Sequence, residues 1–356
     1  MNYILRGKIE AVDTFKVNKN LLSYKLKSND RELYFDNNRL IDKDNWGYFY
    51  FDNFLCLNHE EFTDLIEIET QKKITIPAIF NGTSYWNNTF LTSKDRIREG
   101  VGAYSSRYVL NQLNPFKILY ELPHRYKGSG YRFRNQYLQI HNKGQLLRSL
   151  SLINGEYEWE VDLSDYCSYI FAEKGEVMGS IRQVLGIWND ILWLYLESRR
   201  LLGILLSNGQ IVANVEIEQT HPELTNAGFT NGYLDEKQGL VCFLATRYYL
   251  EFDLAKLQIH RIKNFTTGHA DTDWNFGMTH TFTEEYVYFT ANQGRSSGFT
   301  QLVGVLNRAS LQVEWYQNLG TDQQSRFWSL NQAPQVSENK LYVLDSEGTL
   351  HIFERE

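Results

Sequence analysis

The residues best suited to chemistry in this sequence are few and scattered. His269-Ala270-Asp271-Thr272-Asp273 places a histidine and two alternate carboxylates within one short loop, a spacing that can converge on a cation. The further acidic ligands of a calcium loop do not follow, so no metal is expected. His59-Glu60-Glu61 opens like a zinc-protease helix but lacks the second histidine. There is no GxSxG elbow, phosphate loop or dinucleotide fingerprint. Carboxylates are plentiful, yet spacing assigns no pair of them to acid and base roles. From His124 to Arg134 basic and aromatic residues alternate, a pattern used by single-strand nucleic-acid platforms. In an acidic chain, a basic loop for an acidic partner or a carboxylate ligand is the better fit.

The stronger signal is for binding. Asp273-Trp274-Asn275-Phe276-Gly277 and Phe327-Trp328-Ser329-Leu330-Asn331 align, each Trp standing ten residues before a polar turn pair. Tyr131-Arg132 and Asn226-Ala227-Gly228-Phe229 occupy comparable positions elsewhere. Trp, Tyr and Arg dominate the energetics of protein interfaces. The candidate binding residues are therefore Arg132, Phe229, Trp274, Arg326 and Trp328. The competing role for the two Trp is a staple between neighbouring structural units.

The elements that would position these residues come from a repeat. Val336-Ser337-Glu338-Asn339-Lys340-Leu341-Tyr342-Val343 is an apolar strand end, a polar pair and an alternating strand. Copies without a gap start at Phe282, Ile187 and Phe133, another fits at Tyr85, and looser ones surround Glu236 and Asn45. The second residues of the pairs are Asn45, Asn88, Gln136, Asp190, Glu236, Glu285 and Asn339, spaced 43 to 54 residues apart. A strand-built unit of that length, repeated, predicts a β-propeller with one unit per blade. A second hairpin follows in each unit, with Asn154-Gly155 and Asn208-Gly209 as tight-turn signals.

The expected fold is all-β: one propeller over residues 1–356, of seven four-stranded blades, with eight as the alternative. The last unit lacks its outermost strand, and residues 1–10 can supply it and close the ring. Residues 11–40 are ambiguous, either a truncated eighth unit or extra strands in the first blade. Aromatics at 15% suit packed sheets, and 5 prolines in 356 residues leave little room for disorder. A net charge of −7 argues against nucleic acid or an anionic membrane as the main partner. Cys56, Cys167 and Cys242 are far apart and odd in number, which suits small buried side chains in a reducing compartment. The N-terminus turns polar at once and no apolar run approaches a membrane span, so a cytoplasmic monomer is expected.

Ser151-Leu152-Ile153-Asn154-Gly155-Glu156-Tyr157-Glu158-Trp159-Glu160-Val161 resembles the outer strands of quinoprotein-like (PQQ-like) propeller repeats, where a glycine turn leads into an aromatic strand. Leu311 to Trp315 and Asp345 to Leu350 are similar. The resemblance implies the propeller fold and a relation to WD40-like repeats. It does not bring the quinone: no cofactor is expected. The functional expectation is a non-catalytic binding protein that holds another protein on one face, with an immunity protein that neutralises a toxin enzyme as the narrower form. The alternative is a carbohydrate- or small-molecule-binding propeller, or a hydrolase or lyase, with its site at the channel mouth.

Overall fold

A computed structural model describes residues 1–18, 21–26, 33–35, 38–40, 47–51, 54–70, 72–80, 87–100, 103–113, 115–127, 129–171, 175–224, 229, 231–266, 268, 273–293, 301–320, 330 and 332–356. Its local logic starts at the polar pairs. Asn87 and Asn88 have φ of 45° and 62°, Asn189 and Asp190 of 54° and 57°. Type I′ turns need positive φ at both central residues, and Asn and Asp tolerate it best. In the repeat that starts at Phe133 the turn slips: Phe133 pairs with Gln136, so Arg134 and Asn135 turn the chain, one residue before the aligned pair.

The outer hairpins differ from the two-residue loops expected of them. Ser151 N–H donates to Glu156 O (2.9 Å) and Gly155 N–H to Ser151 O (2.9 Å), giving a four-residue loop. Leu205, Gly209 and Gln210 repeat this pattern. Gly209 has φ +74°, and a Cβ there would sit 2.8 Å from the Trp159 ring. Both backbone and packing therefore demand glycine at that position. Trp159 completes the contact by donating its indole N–H to Leu206 O (2.7 Å).

The residues form two compact units, 1–43 with 185–188 and 215–356, and 44–184 with 189–214. The first holds four four-stranded sheets. Blade 1 is Val12–Asn18, Leu21–Leu26, Leu33–Phe35 and Asn38–Leu40. Blade 6 is Gly232–Asp235, Leu240–Ala245, Tyr248–Asp253 and Gln258–Asn264. Blade 7 is Trp274–Phe282, Tyr286–Gln293, Leu302–Asn307 and Val313–Asn318. Blade 8 joins Tyr3–Ile9 to Gln335–Ser337, Lys340–Leu344 and Leu350–Arg355. There the N-terminal strand runs antiparallel to Leu350–Arg355, with a register slip between Leu5 and Gly7.

The second unit holds blade 2 (Gly47–Phe51, Phe54–Asn58, Thr63–Glu67, Lys73–Ile76) and blade 3 (Ile79–Phe80, Thr89–Gly100, Ala103–Gln112, Lys117–Lys127). Blade 4 (Ser129–Phe133, Gln136–His141, Leu146–Ser151, Tyr157–Asp162) follows, then a two-stranded hairpin, Ser168–Phe171 with Gly175–Met178. Most residues of blade 5 (Ile181–Trp188, Ile191–Leu196, Arg200–Leu205, Ile211–Glu216) belong here too. The fold is an all-β propeller with eight four-stranded blades among the described residues. Eight was the alternative count; the ambiguous stretch after residue 11 carries a four-stranded sheet of its own.

Within each unit the apolar faces of consecutive blades pack together. Blades 7 and 8 share Tyr3, Val303, Val305, Trp315, Leu341 and Phe353, with the Tyr3 ring 5.1 Å from that of Trp315. Blades 6 and 7 share Tyr249, Phe276, Val287 and Phe289. Blades 3 and 4 share Tyr108, Tyr126, Tyr137 and Leu150. Burying one such aliphatic side chain stabilises by about 1.5–3 kcal/mol.

Candidate functional site

Of the five candidate binding residues, Arg326 and Trp328 lie outside the described residues, as do His269 to Thr272 of the possible cation loop. Asp273, which is described, is buried. The other three are placed by different elements. Arg132 sits in the first strand of blade 4 and is only 7% exposed. Its Nη2 donates to Thr89 Oγ1 (2.7 Å) and its Nε to Arg134 O (3.0 Å). Burial brings its pKa down to about 10. Phe229 is 5% exposed and packs its ring 5.3 Å from that of Phe243.

Trp274 begins the first strand of blade 7 and is half-buried. Its ring lies parallel to Phe276 (6.0 Å) and edge-on to Phe289 (5.6 Å). A third neighbour is Tyr316, edge-on at 5.2 Å and 51% exposed. The strand bulges just beyond, where its register shifts between Phe276 and His280. His280 is buried, with its Nε2 3.2 Å from Asn231 O, and burial lowers its pKa. Trp274 therefore staples its own sheet and also presents a surface continuous with an exposed tyrosine.

The buried ionisable groups are committed to bonds that hold the fold. Arg308 donates from Nη2 to Asp235 Oδ2 (3.0 Å) and from Nη1 to the carbonyls of Thr283 (2.9 Å) and Glu284 (2.8 Å). The Tyr249 hydroxyl donates to Glu251 Oε1 (2.6 Å), and Arg261 grips both Glu251 oxygens at 2.7 and 3.0 Å. Burial pushes the Tyr249 hydroxyl far above its ordinary pKa and the Cys242 thiol up to about 11. Sequence reasoning missed this network because its members come from separate repeats. Elsewhere Asp64 takes His59 (3.1 Å), Lys73 (2.6 Å) and Thr75 (2.6 Å), and Asp345 takes His351 (2.9 Å). Among the described residues no three His, Cys, Asp or Glu side chains converge on a metal position, and no helix is long and apolar enough to cross a membrane.

The basic-aromatic alternation is divided between the last strand of blade 3 and the first strand of blade 4. Tyr126 is buried and donates to Gly155 O (3.1 Å), whereas His124 and Arg125 are exposed. Tyr126 is thus core rather than part of a stacking platform, while Tyr131 and Phe133 are half-buried. A second missed feature is the hairpin after blade 4. Ser168 pairs with Met178 and Ile170 with Glu176, so Ile170 and Met178 share one face, and Ile170 is 77% exposed. The legible signal was Tyr169-Ile170-Phe171 followed within four residues by a glycine.

No protein-family model and no curated protein matches this chain. Solved structures do. The Saccharomyces cerevisiae protein Sqt1 superposes with a TM-score of 0.57 at 11% identity, covering 99% of this chain and 98% of that one. The C-terminal WD40 domain of Sif2 gives 0.56 at 9% identity, covering 99% and 98%. BamB from Moraxella catarrhalis gives 0.51 at 11% identity, covering 100% and 98%. At such identities the likeness shows the fold alone, a β-propeller.

Proposed function

We propose that this chain is a non-catalytic, protein-binding β-propeller that grips its partner at the Trp274 end of blade 7. The observation that carries the reading is the Trp274–Tyr316 pair. Trp274 is fixed by Phe276 and Phe289, so little side-chain freedom is lost on binding, and Tyr316 beside it is half exposed. Rigid aromatic anchors of this kind supply contact area at low entropic cost. Arg326 and Trp328, from the aligned loop of the next repeat, complete the proposed anchor set. Arg132 and Phe229, both nearly inaccessible, are left out of the anchor set.

The narrower reading is an inhibitor or immunity protein that neutralises a toxin enzyme in the cytoplasm. The net charge of −7 suits a basic partner, and three buried free thiols suit a reducing compartment. The repeat is read as quinoprotein-like in its outer strands, Trp159 and Trp315 included, with no quinone in its function.

The experiment is recovery of the partner from the native host with wild type, Trp274→Ala, Tyr316→Ala and Trp328→Ala, alongside thermal melts. A true anchor weakens binding by at least about 2 kcal/mol when cut to Ala. Loss of partner by a variant that melts like wild type supports the reading. Full retention, or loss only in step with lost stability, sinks it. The recovered partner is then assayed for an enzymatic activity that the propeller suppresses; an activity left unchanged removes the inhibitor role.

A further inference from the structure

Blade 3 carries a charge pattern opposite to that of the whole chain. Between residues 94 and 127 there are seven Lys or Arg and three Asp or Glu, in a protein of net charge −7. The register concentrates this surplus. Lys94 pairs with Arg107, and Arg107 pairs with Arg125, so three cations stand in one row across three adjacent strands. Like charges directly opposite in a sheet repel.

Two carboxylates answer that row. Glu121 takes Lys94 at 2.5 Å and Arg107 at 3.4 Å, and these two cations hold its pKa below the ordinary value. Asp95 approaches Arg107 at 3.9 Å, while Arg125 donates to the Asp95 backbone carbonyl. Ile97, paired with Ser105, comes next on the same face and is 48% exposed. Lys94, Asp95 and Arg98 also line a cleft of about 670 Å³, together with Ile79 of the same blade and Glu60 and Glu61.

We propose that this face of blade 3 docks a short acidic segment of a partner protein, its carboxylates on Lys94, Arg107 and Arg125 and an apolar side chain beside Ile97. The charge surplus selects an anion, and arginine forks match carboxylates with two parallel hydrogen bonds. The apolar neighbour selects a peptide over a bare ion. A long polyanion meets the repulsion of the chain's overall negative charge, which a short segment largely avoids at physiological salt. This surface is independent of the Trp274 site.

The test uses the full chain and a fluorescent synthetic peptide of alternating Glu and Leu, read by anisotropy. The same peptide with Gln for Glu, and a single-stranded oligonucleotide, are the controls. The Glu peptide binds, weakens as salt is raised, and loses roughly tenfold or more in affinity with Lys94→Gln/Arg107→Gln/Arg125→Gln. Should the triple variant melt early, Arg125→Gln alone provides the reading, at roughly threefold or more. Trp274→Ala leaves this affinity unchanged, which separates this proposal from the previous one. Equal binding of the Gln peptide, tighter binding of the oligonucleotide, or unaltered affinity in a stable cation variant overturns it.

Discussion

Arginine performs two opposite tasks in this molecule. In blades 6 and 7, Arg308 is buried and its guanidinium has partners on every side, among them Asp235 and two backbone carbonyls. On blade 3, Arg107 faces two other cations in register and shares the Glu121 carboxylate with one of them, Lys94. The residue type is the same; exposure and the local count of opposite charges differ. A buried guanidinium must be matched, because desolvation of an unmatched charge costs several kcal/mol. An exposed one is tolerated in surplus, because water and salt screen it. A surplus kept at the surface is what a ligand of opposite charge can use, whereas a matched charge in the interior fastens the fold.

Four measurements sharpen or break this contrast. Arg308→Ala has the largest effect: it leaves Asp235 without its cation and costs about 3–5 kcal/mol by denaturant melts. A cost below about 1 kcal/mol means that the network is not a fastening. Leu341→Ala provides the apolar yardstick. The side chain is fully buried between blades 7 and 8, and its truncation costs about 2–4 kcal/mol.

Asp345 comes third. Burial works to raise its pKa, but the hydrogen bond from His351 and the backbone N–H groups of Thr349 and Glu347 outweigh it, so its folded pKa lies below the ordinary aspartate value. A carboxylate depressed in the folded state contributes stability that is full above its unfolded pKa and is lost as pH falls through the folded one. Acid titration of stability in wild type and Asp345→Asn isolates this contribution, on the order of 1–2 kcal/mol. Equal acid sensitivity in the two proteins removes it. The smallest effect is at the exposed row. Arg107→Gln changes stability by less than about 0.5 kcal/mol, in either direction. A loss as large as that at Leu341 would make the row structural and erase the contrast.

The repeating hairpin was legible in the sequence because its cause is local. Alternating side chains flank a pair of residues that tolerate positive φ, as at Asn189 and Asp190. The first blade was harder to read because its repeat stands only about half a period before the next. The turn at Arg134 and Asn135 slipped by one because the pairing of Phe133 with Gln136, rather than the polar pair, sets the register there. Burial at the candidate site was not legible, since it depends on distant partners: Arg132 is covered where it meets Thr89, and Phe229 where it meets Phe243. The cation row was hidden for the same reason. Lys94, Arg107 and Arg125 have no common sequence spacing, and register shifts on both sides of the row decide that they align.

The pairing of Tyr3–Ile9 with Leu350–Arg355 has a consequence for synthesis. Translation proceeds at roughly 5–20 residues per second, so the early strand waits roughly 20–70 s before its partner exists. During that time its backbone donors and acceptors face water, and Tyr3 lacks the Trp315 and Phe353 rings that later cover it. The strand carries its own protection in Arg6 and Lys8, charges that discourage a wrong neighbour from adding to an open edge. Blades made earlier can pair and pack while this strand still waits. A strand made well before its partner is thus among the last to find its place.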